Sequence, residues 1–283
     1  SSVIFYGGPD GYSEENSTVV PTYCNGNAQI ADVDRNGWLD IIFHDPSGRL
    51  SIYFGGPDGY SEDRMQHIPL KVPGVVSAIN RADLNGNGWL DLIVVVMGHY
   101  TREGSGFYIL HGGPDGYSEG RMSFQPTKAS SIMISSADMN NNGNLDLLVP
   151  AYSTQFTREL PALIFQGDGK TFDFENPFVI PCDSSCAFMA IDISGNGYPD
   201  LLTVCHRNDL GHQVDSLLFW NGPEGISFDR VTRLPGLGPH MTSPRDFGNA
   251  RTREPVEYYI SSSYGMNALR PASLEWKADT PDR

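Results

Sequence analysis

One string of eight residues, GGPDGYSE, stands at 7–14, at 55–62 and at 112–119, and a second pattern recurs in phase with it. Weaker echoes of the first follow at 167–173 (GDGKTFD) and 222–228 (GPEGISF). The second pattern reads DVDRNGWLD (32–40), DLNGNGWLD (83–91), DMNNNGNLD (138–146) and DISGNGYPD (192–200), with a worn copy, DFGNARTRE, at 246–254. Its leading aspartates are 51, 55, 54 and 54 residues apart. A fixed period of this size dictates a repeat architecture, in which each unit buries its apolar face only against its neighbours. Pro-Asp-Gly is turn chemistry: Pro presets φ, Asp tolerates the next position, and Gly accepts positive φ. The flanking runs, such as SIYF (51–54) and FYIL (107–110), read as strands. GGPDGYSE is therefore expected to be a hairpin turn, repeated because the hairpin is repeated.

The nine-residue pattern carries chemistry. Oxygen-bearing side chains fall at positions 1, 3, 5 and 9, with Gly at 6, in each of the first four copies. That order matches the ligands of an EF-hand-type calcium loop, where position 7 offers a backbone carbonyl and Gly makes the sharp turn. The candidate ligands are Asp32, Asp34, Asn36, Trp38 and Asp40 in loop one, and Asp83, Asn85, Asn87, Trp89 and Asp91 in loop two. Loop three offers Asp138, Asn140, Asn142, Asn144 and Asp146, and loop four Asp192, Ser194, Asn196, Tyr198 and Asp200. About four structural calcium ions are expected, strongest in loop one and weaker in loop four, with none at 246–254. A plain Asn/Gly turn is the alternative. The rings of Trp38, Trp89 and Tyr198 are expected to pack between neighbouring units. An EF-hand would continue into helices, whereas the segments on either side here are β patterns.

Strand, D-x-[DN]-x-[DN]-G-x-x-D, strand, and then a strand ending in GGPDG resembles the FG-GAP/VCBS repeats, the calcium-loop β-propeller repeats also found in integrin α-chain heads. The resemblance covers residues 1 to about 262. It implies an all-β propeller of four-stranded antiparallel blades, with the strand before each acidic loop innermost. Five such strands are present, so a single five-bladed domain over 1–283 is expected, closed by strands from both termini. Residues 263–283 are read as a closing strand or the lead into another domain, and a fragment of a seven-bladed ring is the alternative. The fold hosts adhesion, lectin and enzyme-associated roles alike.

Formal charge is −15, from 34 acidic and 19 basic residues, and eleven of the acids lie in the five acidic loops. Such a surface repels nucleic acid and anionic membranes. No apolar run approaches the ~18 residues of a membrane-spanning helix. On the face opposite the acidic loops, three connections are long and polar: GHYTREGSG (98–106), AYSTQFTRELPA (151–162) and CHRNDLGHQVDS (205–216). They place Tyr100, Arg102, Glu103, Tyr152, Arg158, Glu159, His206, Arg207 and His212 on one rim. Aromatic rings beside Arg, Glu and His suit sugars, so the expected partner is a carbohydrate or glycoprotein, met by a secreted or cell-surface binding module. A protein-adhesion module and a polysaccharide-degrading enzyme using rim carboxylates are the alternatives. The innermost strands hold no acid before the metal loop.

Four cysteines remain, Cys24, Cys182, Cys186 and Cys205. The hairpin around loop four is symmetric about Asn196, which places Cys186 almost opposite Cys205 on adjacent strands. A disulfide among Cys182, Cys186 and Cys205 is the expected reading, suited to an extracytoplasmic chain. A zinc site made by these three and His206 is the alternative. His240 is read as a packing histidine.

Overall fold

Each repeat folds as a four-stranded antiparallel meander in the computed structural model, which describes residues 1–22, 28–45, 48–71, 75–98 and 104–240. The first meander joins β3 (Gln29–Ala31), β4 (Asp40–Asp45), β5 (Arg49–Tyr53) and β6 (Met65–Pro69). The second joins β7 (Val75–Ala82), β8 (Asp91–Met97), β9 (Gly106–Leu110) and β10 (Met122–Pro126). The third contains β11 (Ser135–Ala137), β12 (Asp146–Val149), β13 (Ala162–Phe165) and β14 (Phe178–Ile180). The fourth contains β15 (Ser185–Ile191), β16 (Asp200–Cys205), β17 (Ser216–Phe219) and β18 (Val231–Leu234). Ahead of them, β1 (Ser2–Phe5) and β2 (Ser17–Val20) pair as a separate two-stranded sheet. The chain is thus all-β, and the five sheets are arranged as blades of a β-propeller; none of them closes on itself. The segments expected to complete the closing blade, 246–254 and 263–283, lie outside the described residues, as does Cys24.

Strand periodicity explains why the blades stack. Successive side chains of a strand point to opposite faces. In β8, Leu92, Val94 and Val96 join a core shared with the first blade, while Ile93 and Val95 join one shared with the third. β12 divides likewise, with Leu147 and Val149 toward the second blade and Leu148 toward the fourth. In β4, Ile41 and Phe43 face Val20 of the two-stranded sheet, and Ile42 faces the second blade. A central strand buried on both faces reads as a continuous apolar run, which is why LIVVVM has no polar alternation. Each such Val, Leu or Ile stabilises by about 1.5–3 kcal/mol when fully buried.

The octapeptide copies at 55–62 and 112–119 and the echoes at 167–173 and 222–228 form the turn between the third and fourth strands of a blade, and the copy at 7–14 joins β1 to β2, as the Pro-Asp-Gly order predicts. Gly59 N–H donates to Gly56 O at 3.0 Å, Gly116 to Gly113 at 2.9 Å, and Gly225 to Gly222 at 2.8 Å. Gly59 has φ +77°, in the left-handed region. A Cβ there meets only Tyr6 Oη, at 3.9 Å, so space is available and only backbone strain opposes a side chain. Gly59→Ala is accordingly expected to lower stability by about 1–2 kcal/mol. Denaturant melts would check this, and an unchanged midpoint would contradict the left-handed turn.

Candidate functional site

In a meander, the first-to-second and third-to-fourth connections emerge on the same side, so each acidic loop lies beside its GGPDG turn. The ninth-position aspartate joins them. Asp40, Asp91, Asp146 and Asp200 are all completely buried. One oxygen of each accepts the backbone N–H of loop position 2: Val33 (2.7 Å), Leu84 (3.0 Å), Met139 (3.0 Å) and Ile193 (3.1 Å). The other accepts an N–H from the outer turn: Gly55 (2.8 Å), Gly112 (2.8 Å), Gly167 (3.0 Å) and Asn221 (2.8 Å). Tyr60 and Tyr117, the tyrosines of GGPDGY, donate back to the position-8 carbonyls of Leu39 and Leu90, at 2.8 and 2.7 Å. The two sequence repeats keep phase because they are hydrogen-bonded to one another. Glycine begins the turn in three copies because a Cβ at Gly55, Gly112 or Gly167 would strike the carbonyl of Leu39, Leu90 or Leu145.

The first-position aspartates organise the loop itself. Asp32, Asp83, Asp138 and Asp192 each accept two successive N–H groups, from positions 5 and 6, at 2.8–3.1 Å. At position 3, Asp34, Asn85 and Asn140 accept the same position-5 N–H, at 3.1–3.2 Å, and the Ser194 hydroxyl instead donates to Asp192 at 3.4 Å. At position 5, Asn36, Asn87, Asn142 and Asn196 accept the N–H of Trp38, Trp89, Asn144 and Tyr198, each at 2.8 Å. Position 4 has positive φ in every loop, at Arg35 (61°), Gly86 (66°), Asn141 (60°) and Gly195 (70°). From there Arg35 reaches the Trp89 ring of the next blade, 5.2 Å from its centroid, and Asn141 donates to Gly197 O at 2.7 Å. The Trp89 ring thus packs between neighbouring units, as expected; Trp38 is 46% exposed.

The donor sets differ in their fit to calcium. In loop one, Asp32, Asp34 and Asp40 bring three carboxylates within 4.8 Å of one another. Burial, and then the charge of Asp34, push the Asp40 carboxyl above its usual range. Like charges held this close favour a bound cation. Loops two to four supply two carboxylates each and fill the rest with amide or hydroxyl oxygens. In loop two, His111 Nδ1 also lies 3.2 Å from Asp91, whose hydrogen bond raises the imidazole pKa. Loop one fits calcium best.

On the opposite face, the third and fourth blades assemble a second cluster. The Arg158 guanidinium lies over the Tyr152 ring, 4.4 Å from its centroid. Tyr152 stacks on His206 (5.9 Å, 28°) and meets His240 edge-on (5.7 Å, 89°). His206 meets His212 at 4.6 Å and His240 at 4.5 Å. Asp209 fastens the two loops together, accepting the Thr157 hydroxyl and the Arg158 N–H at 2.7 Å each, which holds its carboxyl below the usual range. Arg158 Nη1 is buried and has no hydrogen-bond partner. A cavity of about 790 Å³ adjoins the cluster, lined by Tyr152, Ser130, Ser153, Thr154, Phe156 and His240 among others.

Of the rim residues picked out in the sequence, Tyr152, Arg158, His206 and His212 therefore come together. Glu159 is exposed and borders a separate cavity with Asp183 and Asp215, and Arg207 bonds its neighbour's carbonyl at Asn208, 3.4 Å away. Tyr100, Arg102 and Glu103 lie outside the described residues. His240 joins the cluster because the Gly236–Pro239 segment folds back against blade four. Gly238 O accepts His206 Nδ1–H at 3.0 Å, and a Cβ at Gly238 would collide with the His206 carbonyl. The two glycines of GLGPH were the available signal.

The cysteines depart from the symmetric hairpin. Ser185, not Cys186, pairs with Cys205, and the register shifts at the next residue, so Cys186 is the extra residue of a β-bulge. Such a bulge leaves its residue unpaired and re-aims its side chain. Cys205 and Cys182 face the core shared with blade three, where a hydrogen bond to Cys205, and then burial, raise the Cys182 thiol. Cys186 instead lies by His206 and His240. All three thiols are unbonded in this structure.

Residues 32–94 and 83–149 match the model of the FG-GAP-like repeat. No curated protein matches the chain. Two solved structures of BBS1N in complex with ARL6DN, one soaked with mercury and one with lead, resemble it at 12% identity and a TM-score of 0.44. The matches cover 75% and 76% of this chain and 54% and 59% of those chains, so it spans somewhat more than half their length. Over residues 32–149, then, the chain consists of FG-GAP-like repeats.

Proposed function

We propose that the chain is a calcium-stabilised binding module that recognises carbohydrate on the face opposite the acidic loops. The observation that carries this reading is the joining of Tyr152, Arg158, His206 and His212, from two successive blades, beside a cavity of about 790 Å³. A sugar ring presents an apolar face and several hydroxyls. Tyr152 and Phe156 offer the first a surface, and Ser130, Ser153 and Thr154 line the cavity with hydroxyl groups. The unpartnered Arg158 Nη1 is a donor suited to a carboxylate or hydroxyl of the ligand.

Calcium would be held by Asp32, Asp34, Asn36, Asp40 and the Trp38 carbonyl in loop one, and by the corresponding oxygens of the other loops. Its contribution is structural: it binds only the folded loop and so stabilises it. Few carboxylates per loop mean weak sites, of the order of the 10⁻⁴–10⁻³ M typical of extracellular modules. That supports a secreted or cell-surface location.

The test is a glycan array probed with the calcium-loaded chain and with Tyr152→Ala. Binding to a defined glycan class, weakened at least tenfold by Tyr152→Ala with an unchanged melt and retained by Trp38→Ala, is the expected result. A folded chain that binds no glycan would overturn the carbohydrate reading in favour of a protein partner.

A further inference from the structure

We propose that Cys186, His206 and His240 form a binding site for a zinc-like transition-metal ion, separate in place and chemistry from the acidic loops. One ligand atom from each of the three residues falls within 4.8 Å of the others, a spacing that one ion can close into a coordination sphere. Thiolate and imidazole are the donors that suit zinc, cobalt and their neighbours, whereas calcium takes oxygen. The two kinds of site on this chain therefore select different metals.

The local structure prepares these groups. Gly238 O can only accept, so the hydrogen at His206 Nδ1 is fixed there, and Nε2 carries the lone pair. A backbone carbonyl in this role sets the tautomer and the ring orientation of a metal-binding histidine. The β-bulge turns the Cys186 side chain away from the inter-blade core and toward the two imidazoles. Strict alternation from the β16 register would not have put it there. Tyr152 braces His240 edge-on and stacks on His206, so both rings are held from the same side.

Three protein ligands leave a fourth position. His212 is close by, its ring 4.6 Å from that of His206. Water or an anionic group is the other occupant that zinc chemistry accepts. The buried Arg158 Nη1, without a partner, is available to bond such an anion. Burial raises the Cys186 thiol to about 12, and the Arg158 charge opposes that rise.

Cobalt(II) is the probe that separates this site from the acidic loops, because only a thiolate ligand gives a sulfur-to-cobalt charge-transfer band. The full chain, freed of metal, is titrated with cobalt(II) in the presence of excess calcium. One equivalent producing that band, and its displacement by zinc, is the expected result. Cys186→Ser should abolish the band, and His240→Ala, at an exposed position, should weaken cobalt binding at least tenfold. Cys182→Ser, whose thiol faces the other side of the blade, should retain it. A wild-type chain without the band, or a band that survives Cys186→Ser or His240→Ala undiminished, would overturn the proposal. Glycan binding is read separately, so this result and that of the array fail independently.

Discussion

Asp146→Ala is expected to destabilise the chain by about 2–6 kcal/mol, because it orphans two buried N–H groups at about 1–3 kcal/mol each. Those groups belong to Met139 and Gly167, both 3.0 Å from the carboxylate. The residue is completely buried, so water cannot replace the lost acceptor. Asp146→Asn retains one carbonyl acceptor and should fall between wild type and alanine. The important control is calcium. An aspartate acting only as a metal ligand would lose its effect once the metal is removed, whereas a clamp between loop and turn keeps it. Urea melts of wild type and Asp146→Ala, each with calcium and with EDTA, separate the two. A difference that disappears in EDTA would show that the clamp contributes nothing of its own.

Calcium removal is expected to lower stability by about 2.7 kcal/mol for each site held at a hundred-fold excess over its dissociation constant. Loop one should supply the largest share, since it alone among the described loops brings three carboxylates within 4.8 Å. Asp34→Asn keeps the shape of the loop and removes one of those charges. It should therefore reduce the calcium-dependent part of the melt while leaving the melt in EDTA nearly unchanged, or slightly raised through relief of repulsion. An identical melting temperature in excess EDTA and in calcium at about a hundred-fold excess over the dissociation constant, tens of millimolar for sites of this strength, would refute structural calcium in these loops.

The repeat made the architecture legible before any coordinates. A period of about 54 residues, a Pro-Asp-Gly turn and a continuous apolar run such as LIVVVM are local signals, and each specifies backbone geometry within a few residues. They gave the four-stranded meander, the placement of the acidic loops between first and second strands, and the shared face of Tyr152, Arg158, His206 and His212. Position 9 of the loop was legible only as an oxygen. Its two hydrogen bonds run 7 residues back along the chain and 15 or 21 forward, as in Asp40 and Asp146. Nothing in the nine-residue pattern itself names those partners.

The cysteines show the same boundary more sharply. Carrying the Ile191–Asp200 pairing outward without interruption would put Cys186 opposite Cys205, and the bulge at that point moves it by one. In a strand of period two, one residue is the difference between facing the blade-three core and facing His206. What the sequence determined by itself was the repeated blade, its turns and its acidic loops, because those depend on backbone preferences of neighbouring residues. Only the tertiary structure decided that the ninth aspartate is a buried clamp and that Cys186, His206 and His240 converge. Those outcomes depend on register and on the folding back of a distant segment, which local chain preferences do not set.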